Sequence, residues 1–306
     1  MTVENSMHPA GAAAAEANSA APPPLGLIAG EGELPRLVAR NIRRAGRRLV
    51  CVGLRGYAHP QLQAAADVFR WRGVVQLGRW IRVLRRFGCR EVVMVGRVRK
   101  AALFAGPRWL QWLQYLPDWT SIRVYYFRAR DRRNDSLLAA VADEMQRRGL
   151  TMIDSTQYCP EALAEEGLLT PDGPHPAAVA PRRVLDDAEF AWPLIKQIAA
   201  LDIGQSIAVK EREVLAVEAI EGTDKLIRRA GELCPAGGWT LVKVAKPNQD
   251  MRFDVPTIGP NTIENLHAAG AAGLVVEAGK TIILERERAL ALARSRGIAV
   301  IGRAGT

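Results

Sequence analysis

Short apolar strands alternate with helices at close intervals through the first half of the chain, and this rhythm constrains the fold more than any other feature. Leu25-Gly-Leu-Ile-Ala-Gly-Glu-Gly-Glu-Leu-Pro35 reads as a strand that runs into glycines and then into a helix with Pro35 in its first turn. Arg48 to Leu54 reads as a second strand, Gln76 to Gly88 as a glycine-capped helix, and Glu91 to Arg97 as a buried strand. Strands joined this way pair in parallel, with helices covering the sheet. Ile122 to Phe127 is then expected as a further strand, Leu137 to Arg148 as a helix and Thr151 to Asp154 as a last strand.

The expected fold is therefore α/β, with a Rossmann-like parallel-sheet domain over residues 25–167 and a mixed α/β domain over residues 183–306. Four prolines without periodicity, from Thr170 to Pro181, mark residues 168–182 as a linker between them. Residues 1–24 are Ala- and Pro-rich, carry no Lys or Arg and have no apolar core of a signal peptide, so they read as a disordered tail. Four scattered cysteines without CxxC spacing indicate neither a zinc site nor a disulfide framework, which points to the cytoplasm.

Gly30 and Gly32 let backbone amides approach a ligand, and the helix behind them directs its positive end at a phosphate. Pro35 stands where the dinucleotide fingerprint needs its third glycine, which argues against NAD. Residues 36–133 hold 23 Lys or Arg against four acids, whereas residues 134–306 hold 19 against 24. The basic field thus belongs to the first domain and attracts polyanions, either an anionic membrane surface or nucleic acid. Trp109, Trp112, Tyr115 and Trp119 share one helical face, which suits either core packing or the headgroup level of a bilayer.

The second domain has its chemistry concentrated around Glu218-Ala-Ile-Glu-Gly-Thr-Asp224. An apolar hairpin with a polar turn at Lys210 to Glu213 leads into it, and a helix from Lys225 to Gly231 leads out. Glu218, Glu221, Thr223 and Asp224 are hard oxygen donors crowded around one glycine, suited to a divalent cation or to an attacking water. Downstream, Lys243, Lys246 and Arg252 alternate with Asp250 and Asp254, a mixture that suits phosphate beside a metal ion.

Six segments in combination carry a family resemblance. They are Leu27 to Pro35, Val95 to Lys100, Asp202-Ile-Gly-Gln-Ser206, Glu218 to Asp224, Lys246 to Gly259 and Val276-Glu-Ala-Gly-Lys280. Together they resemble the LpxI family of UDP-2,3-diacylglucosamine pyrophosphatases, from about Leu25 to Gly302. The resemblance implies magnesium-dependent hydrolysis of a lipid-linked nucleotide sugar to UMP and 2,3-diacylglucosamine 1-phosphate (lipid X), in lipid A biosynthesis. It places the family's catalytic aspartate on Asp224. Glu218 and Glu221 join it as candidate metal ligands, and Gly30, Gly32, Gln205, Thr223, Lys243, Lys246, Gln249, Asp250, Arg252 and Asp254 as candidate substrate contacts.

The tryptophan-rich segment and the Pro-rich tail depart from the family pattern. The implied setting is cytoplasmic and peripheral to the inner membrane, with the substrate and an anionic leaflet as partners, no nucleic acid, and a homo-oligomer possible. The alternative is a non-catalytic protein that binds a nucleotide sugar or a nucleic acid in a regulatory role.

Overall fold

A computed structural model describes residues 22–98, 116–127, 134–170, 180–247, 249–252 and 255–305. The first half builds a parallel sheet in the order β3-β2-β1-β4-β5 from β1 (Leu25–Ala29), β2 (Leu49–Leu54), β3 (Val68–Arg72), β4 (Glu91–Val95) and β5 (Thr151–Met152). This order reverses direction at β1, as in doubly wound nucleotide-binding folds. Every residue of β1 and β2 is buried, as expected of parallel strands covered on both faces. Helices α1 (Leu34–Arg44), α2 (Leu62–Ala65) and α3 (Leu77–Arg86) connect them. Gly88, at φ +80°, follows the end of α3.

The expected strand at Ile122 to Phe127 is a helix instead, α4 (Trp119–Phe127), followed by α5 (Asn134–Arg147). Its aromatic and β-branched residues favour a strand, but the capping chemistry outweighs them. The Asp118 carboxylate accepts from the Ser121 backbone N–H at 2.9 Å and from the Ser121 hydroxyl at 3.0 Å, the bond that starts a helix. Thr151 to Asp154 is likewise shorter than expected. The strand stops at Met152, and Asp154 caps a 3-10 turn, Ser155–Tyr158. Trp109, Trp112 and Tyr115, together with the tail up to residue 21, lie outside the described residues.

The second half builds a mixed sheet in the order β6-β13-β11-β9-β7-β8. Its strands are β6 (Gly167–Leu168), β7 (Ser206–Lys210), β8 (Glu213–Val217), β9 (Trp239–Lys243), β11 (Ala271–Glu277) and β13 (Ala299–Arg303). Helices α6 (Arg182–Ala200), α7 (Thr223–Leu233), α8 (Pro260–Ala268) and α9 (Arg286–Ser295) cover its faces. The ends of the expected linker are packed: Leu168 pairs with Ile301 in the sheet, Thr170 accepts from the Val300 N–H at 2.8 Å, and residues 171–179 lie outside the described residues.

The hairpin β7–β8 forms as expected. Its turn holds Glu211 at φ +54° and Arg212 at φ +65°, a left-handed pair without glycine. The buried Asp187 carboxylate fixes this turn by accepting the Arg212 N–H and the Thr240 hydroxyl, both at 3.0 Å.

Gly231 does not stop its helix, since α7 continues to Leu233. A Cβ at Gly231 would come within 2.9 Å of the Ala269 Cβ. The glycine therefore serves close packing of α7 against the end of α8. After β11 comes the short strand β12 (Ile282–Ile283). It leaves the main sheet to pair in parallel with β10 (Thr257–Ile258).

This small sheet joins the two halves. Ile282 is fully buried in the apolar cluster built on β1, α1 and β4, where Val255 and Leu284 also pack. Leu163 bridges Ile282, and its carbonyl accepts from Arg286 at 2.8 Å. Loss of the Ile282 side chain should cost about 2 to 5 kcal/mol, because its neighbours come from both halves and cannot collapse together. Thermal melting of Ile282→Ala checks this, as a Tm lowered by several degrees with a single transition.

Candidate active site

Ligands of open α/β sheets bind beyond the carboxyl ends of the strands. In the second sheet β9 ends at Lys243, β11 at Glu277 and β13 at Arg303. Antiparallel β7 begins at the same edge with Ser206 opposite Lys243, and β8 ends there just before Glu218. The segment Ala219 to Gly222 then turns the chain into α7, whose N-terminus and its positive dipole end lie at this edge.

Lys243 Nζ donates to the Thr223 hydroxyl at 3.2 Å, and that hydroxyl donates to Glu218 Oε1 at 3.0 Å. Lys243 also reaches the Thr257 carbonyl at 3.3 Å. Three buried oxygens at this edge have no hydrogen-bond partner: Glu218 Oε2, Gln205 Oε1 and the Ser206 hydroxyl. Buried polar atoms are rarely left unpaired without a ligand or water to meet them.

Glycine spacing makes this closeness possible. A Cβ at Gly204 would stand 1.9 Å from the Glu218 carbonyl oxygen. Gly204→Ala should therefore displace β7 from the Glu218 turn and cost about 1 to 3 kcal/mol. A melt compared with wild type reads this directly.

Asp224 occupies the first turn of α7, where its carboxylate accepts from Asn265 Nδ2 at 3.0 Å on an exposed surface. Glu221 pairs with Arg229 at 2.8 Å. Glu218, Glu221 and Asp224 are thus adjacent in sequence but separately engaged. Among the described residues no group of three or more His, Cys, Asp or Glu is gathered around a common point.

Beyond β9, the described residues 249–252 reach the first half, where the Ser155 hydroxyl donates to the Met251 carbonyl at 3.2 Å. Lys246 pairs with Asp202 at 2.6 Å, and the Gln249 side chain accepts the Lys246 N–H at 2.8 Å. Arg252 grips Asp250 with contacts of 2.5 to 3.1 Å, and this bond holds the Asp250 carboxyl below the usual carboxylate range. Asp254 lies outside the described residues.

On the first sheet, Gly30 has a packing role. A Cβ there would stand 2.8 Å from the Gly96 backbone, and Glu31 and Arg97 exchange backbone hydrogen bonds at 2.9 Å just beyond. Gly32, at φ +110°, has no neighbour in the way of a side chain.

One participant of the edge escaped the sequence reading. Glu277 is fully buried and binds Lys196 at 2.8 Å, Lys280 at 3.0 Å and the Ala245 N–H at 2.9 Å. Burial would raise its pKa, but these bonds outweigh burial and hold it below the ordinary value. Glu277 and Lys280 sit in one of the segments singled out above. Lys196 lies in the middle of α6, where nothing local distinguishes it from a surface lysine.

Comparison with known proteins agrees with this two-part architecture. Residues 24–162 match the LpxI N-terminal domain, and residues 171–301 match the LpxI C-terminal domain. A protein from Caulobacter vibrioides named UDP-2,3-diacylglucosamine pyrophosphatase LpxI is 35% identical over 289 residues, which is 91% of this chain and 96% of the relative. A solved nucleoside-diphosphate-sugar epimerase from Pseudomonas aeruginosa aligns over 90% of this chain and 87% of its own, at 14% identity and a TM-score of 0.26, too remote to argue from.

Proposed function

The chain belongs to the LpxI family, and from that premise we propose that it hydrolyses the pyrophosphate of UDP-2,3-diacylglucosamine at the carboxyl edge of its second sheet. The substrate is the one in the relative's name, and the products, as the family resemblance implies, are UMP and 2,3-diacylglucosamine 1-phosphate. The observation that carries the reading is the buried trio of unpartnered oxygens on Gln205, Ser206 and Glu218 beside Lys243. A water oxygen bonds to one phosphorus, and the bridging oxygen departs with the other phosphate. The edge provides for both needs of this step, a cation for the developing negative charge and oxygens that orient the water.

Lys243 and the α7 N-terminus stabilise phosphate oxygens, with Lys246 and Arg252 supplying further charge from residues 244–256. Asp250 holds the Arg252 fork in place, and Gln249 contacts the same phosphates. Thr223 passes a hydrogen bond from Lys243 to Glu218, fixing both. Asp224 orients the attacking water or holds the metal.

Magnesium takes one or two protein carboxylates and completes its shell with water and substrate phosphate. The orphaned Glu218 Oε2 fits that demand, with Asp224 the second candidate and Glu221, already paired with Arg229, the third. Bound there, the ion would neutralise charge on the pyrophosphate. Met251 contacts Ser155 of the first half, which supports a substrate held between the two halves with its nucleotide toward Gly32. Leu201, Ile203 and a fully exposed Ile220 rim the edge and offer apolar surface to the acyl chains.

Among the described residues no helix is long and apolar enough to cross a membrane; the acyl chains of the proposed substrate are what would bring the enzyme to a membrane surface. Purified protein incubated with UDP-2,3-diacylglucosamine should release UMP in a reaction that EDTA stops and magnesium restores. Binding of the substrate without UMP release would instead support the non-catalytic alternative.

A further inference from the structure

The arginines of α3 lie on one exposed face. Arg79, Arg82, Arg85 and Arg86 are all exposed, and among the described residues none of them has an ion-pair partner. Asp118, the acid beside them, is occupied by the backbone N–H groups of Arg79 and Ser121 at 3.0 and 2.9 Å. Arg72 adjoins this face, and burial together with repulsion from its arginine neighbours pulls its pKa down.

Close packing places an aromatic helix against these charges. A Cβ at Gly78 would stand 2.7 Å from the Thr120 hydroxyl, and the Leu77 N–H donates to Ser121 Oγ at 2.9 Å. Trp119 therefore shares a shallow depression with Arg79, Arg82, Arg85 and Arg86, and on its other side borders Phe127 and Arg123. Trp119 is 77% exposed, Phe127 79% and Tyr126 66%. Three large rings exposed on one short helix are costly in water.

We infer that this surface, the arginine face of α3 with the exposed rings of α4, docks the protein on an anionic lipid bilayer. Arginines attract anionic headgroups, and tryptophan and tyrosine rings prefer the headgroup level. Charge complementarity decides the occupant. A second copy of this chain would set arginine against arginine, and a neutral apolar partner would leave the four cations without counter-charges. The inference rests on the lipid-linked substrate proposed above, since that substrate is what requires a soluble face to meet a bilayer.

Flotation of the full chain with phosphatidylcholine vesicles, with and without phosphatidylglycerol, tests it. Wild type should float with the anionic vesicles at low salt and be released at high salt. Arg82→Glu with Arg86→Glu should weaken this binding at least about tenfold, since each basic residue near the surface contributes about a fivefold factor. Trp119→Ser with Phe127→Ser should weaken it as well. Because these side chains are exposed, circular dichroism melts should match wild type for both pairs.

UMP release from detergent-dispersed substrate should also be unchanged in both pairs. Unchanged flotation of the variants overturns the inference, as does sedimentation that reveals a dimer disrupted by the same changes, or RNA binding abolished by them while vesicles bind normally. Anionic-vesicle binding lost in the variants, from a wild type that releases no UMP under any condition, leaves the surface standing and removes the hydrolase reading instead.

Discussion

Asp224→Ala is expected to lower the rate of UMP release about a thousandfold, on the order of 4 kcal/mol of transition-state stabilisation. The same change should barely move the melting temperature. Its exposed carboxylate accepts a hydrogen bond from the Asn265 side chain and favours the α7 N-terminus by about 0.3 to 1 kcal/mol. A structural acid would show the opposite pattern, with stability and activity falling together. Retention of more than about a tenth of the wild-type rate would place the chemistry elsewhere on the edge.

Glu277→Ala should be strongly destabilising, by about 3 kcal/mol or more, because it removes the partner of Lys196 and of the buried Ala245 N–H at once. The native pH dependence has a definite sign. Because the folded pKa of Glu277 is depressed, its contribution is fully present above the unfolded value near 4.3 and is lost as pH falls through the folded value. Melts from neutral pH downward should show wild type losing stability on acidification below about pH 4, and Glu277→Ala losing less of it. Parallel pH profiles for the two proteins would mean that other carboxylates dominate acid unfolding.

Much of this architecture was legible in the chain because the first domain obeys local rules. The glycine after β1, the Pro35 start of α1 and the buried run of β4 each announce themselves within a few residues. Two strands do not. Val68 to Arg72 carries arginines at alternate positions, so the edge strand β3 shows no apolar run, and the interior strand Trp239 to Lys243 ends in the lysine that opens a polar cluster, which masks its short apolar stretch. The α4 helix departs from the expected strand for a different reason: one capping aspartate outweighs a β-prone composition.

At the candidate site the residue types were legible and their relations were not. Glu218, Glu221 and Asp224 look like one cluster in sequence, yet a strand end, a turn and a helix start send them to separate partners. The link from Lys243 through Thr223 to Glu218 requires β9 and β8 to flank β7, a tertiary fact no spacing encodes.

The hairpin turn at Glu211 and Arg212 lies at the opposite end of β7 and β8 from the reactive edge, but it fixes how the two strands are threaded against each other. Side chains alternate across a sheet, so a slip of a single residue would carry those of β8 to the opposite face. The turn thus acts as a remote gauge for the candidate edge. An insertion or deletion there would silence the edge without touching any atom that meets substrate, so the length of this short surface turn is as closely constrained as the chemistry it measures out.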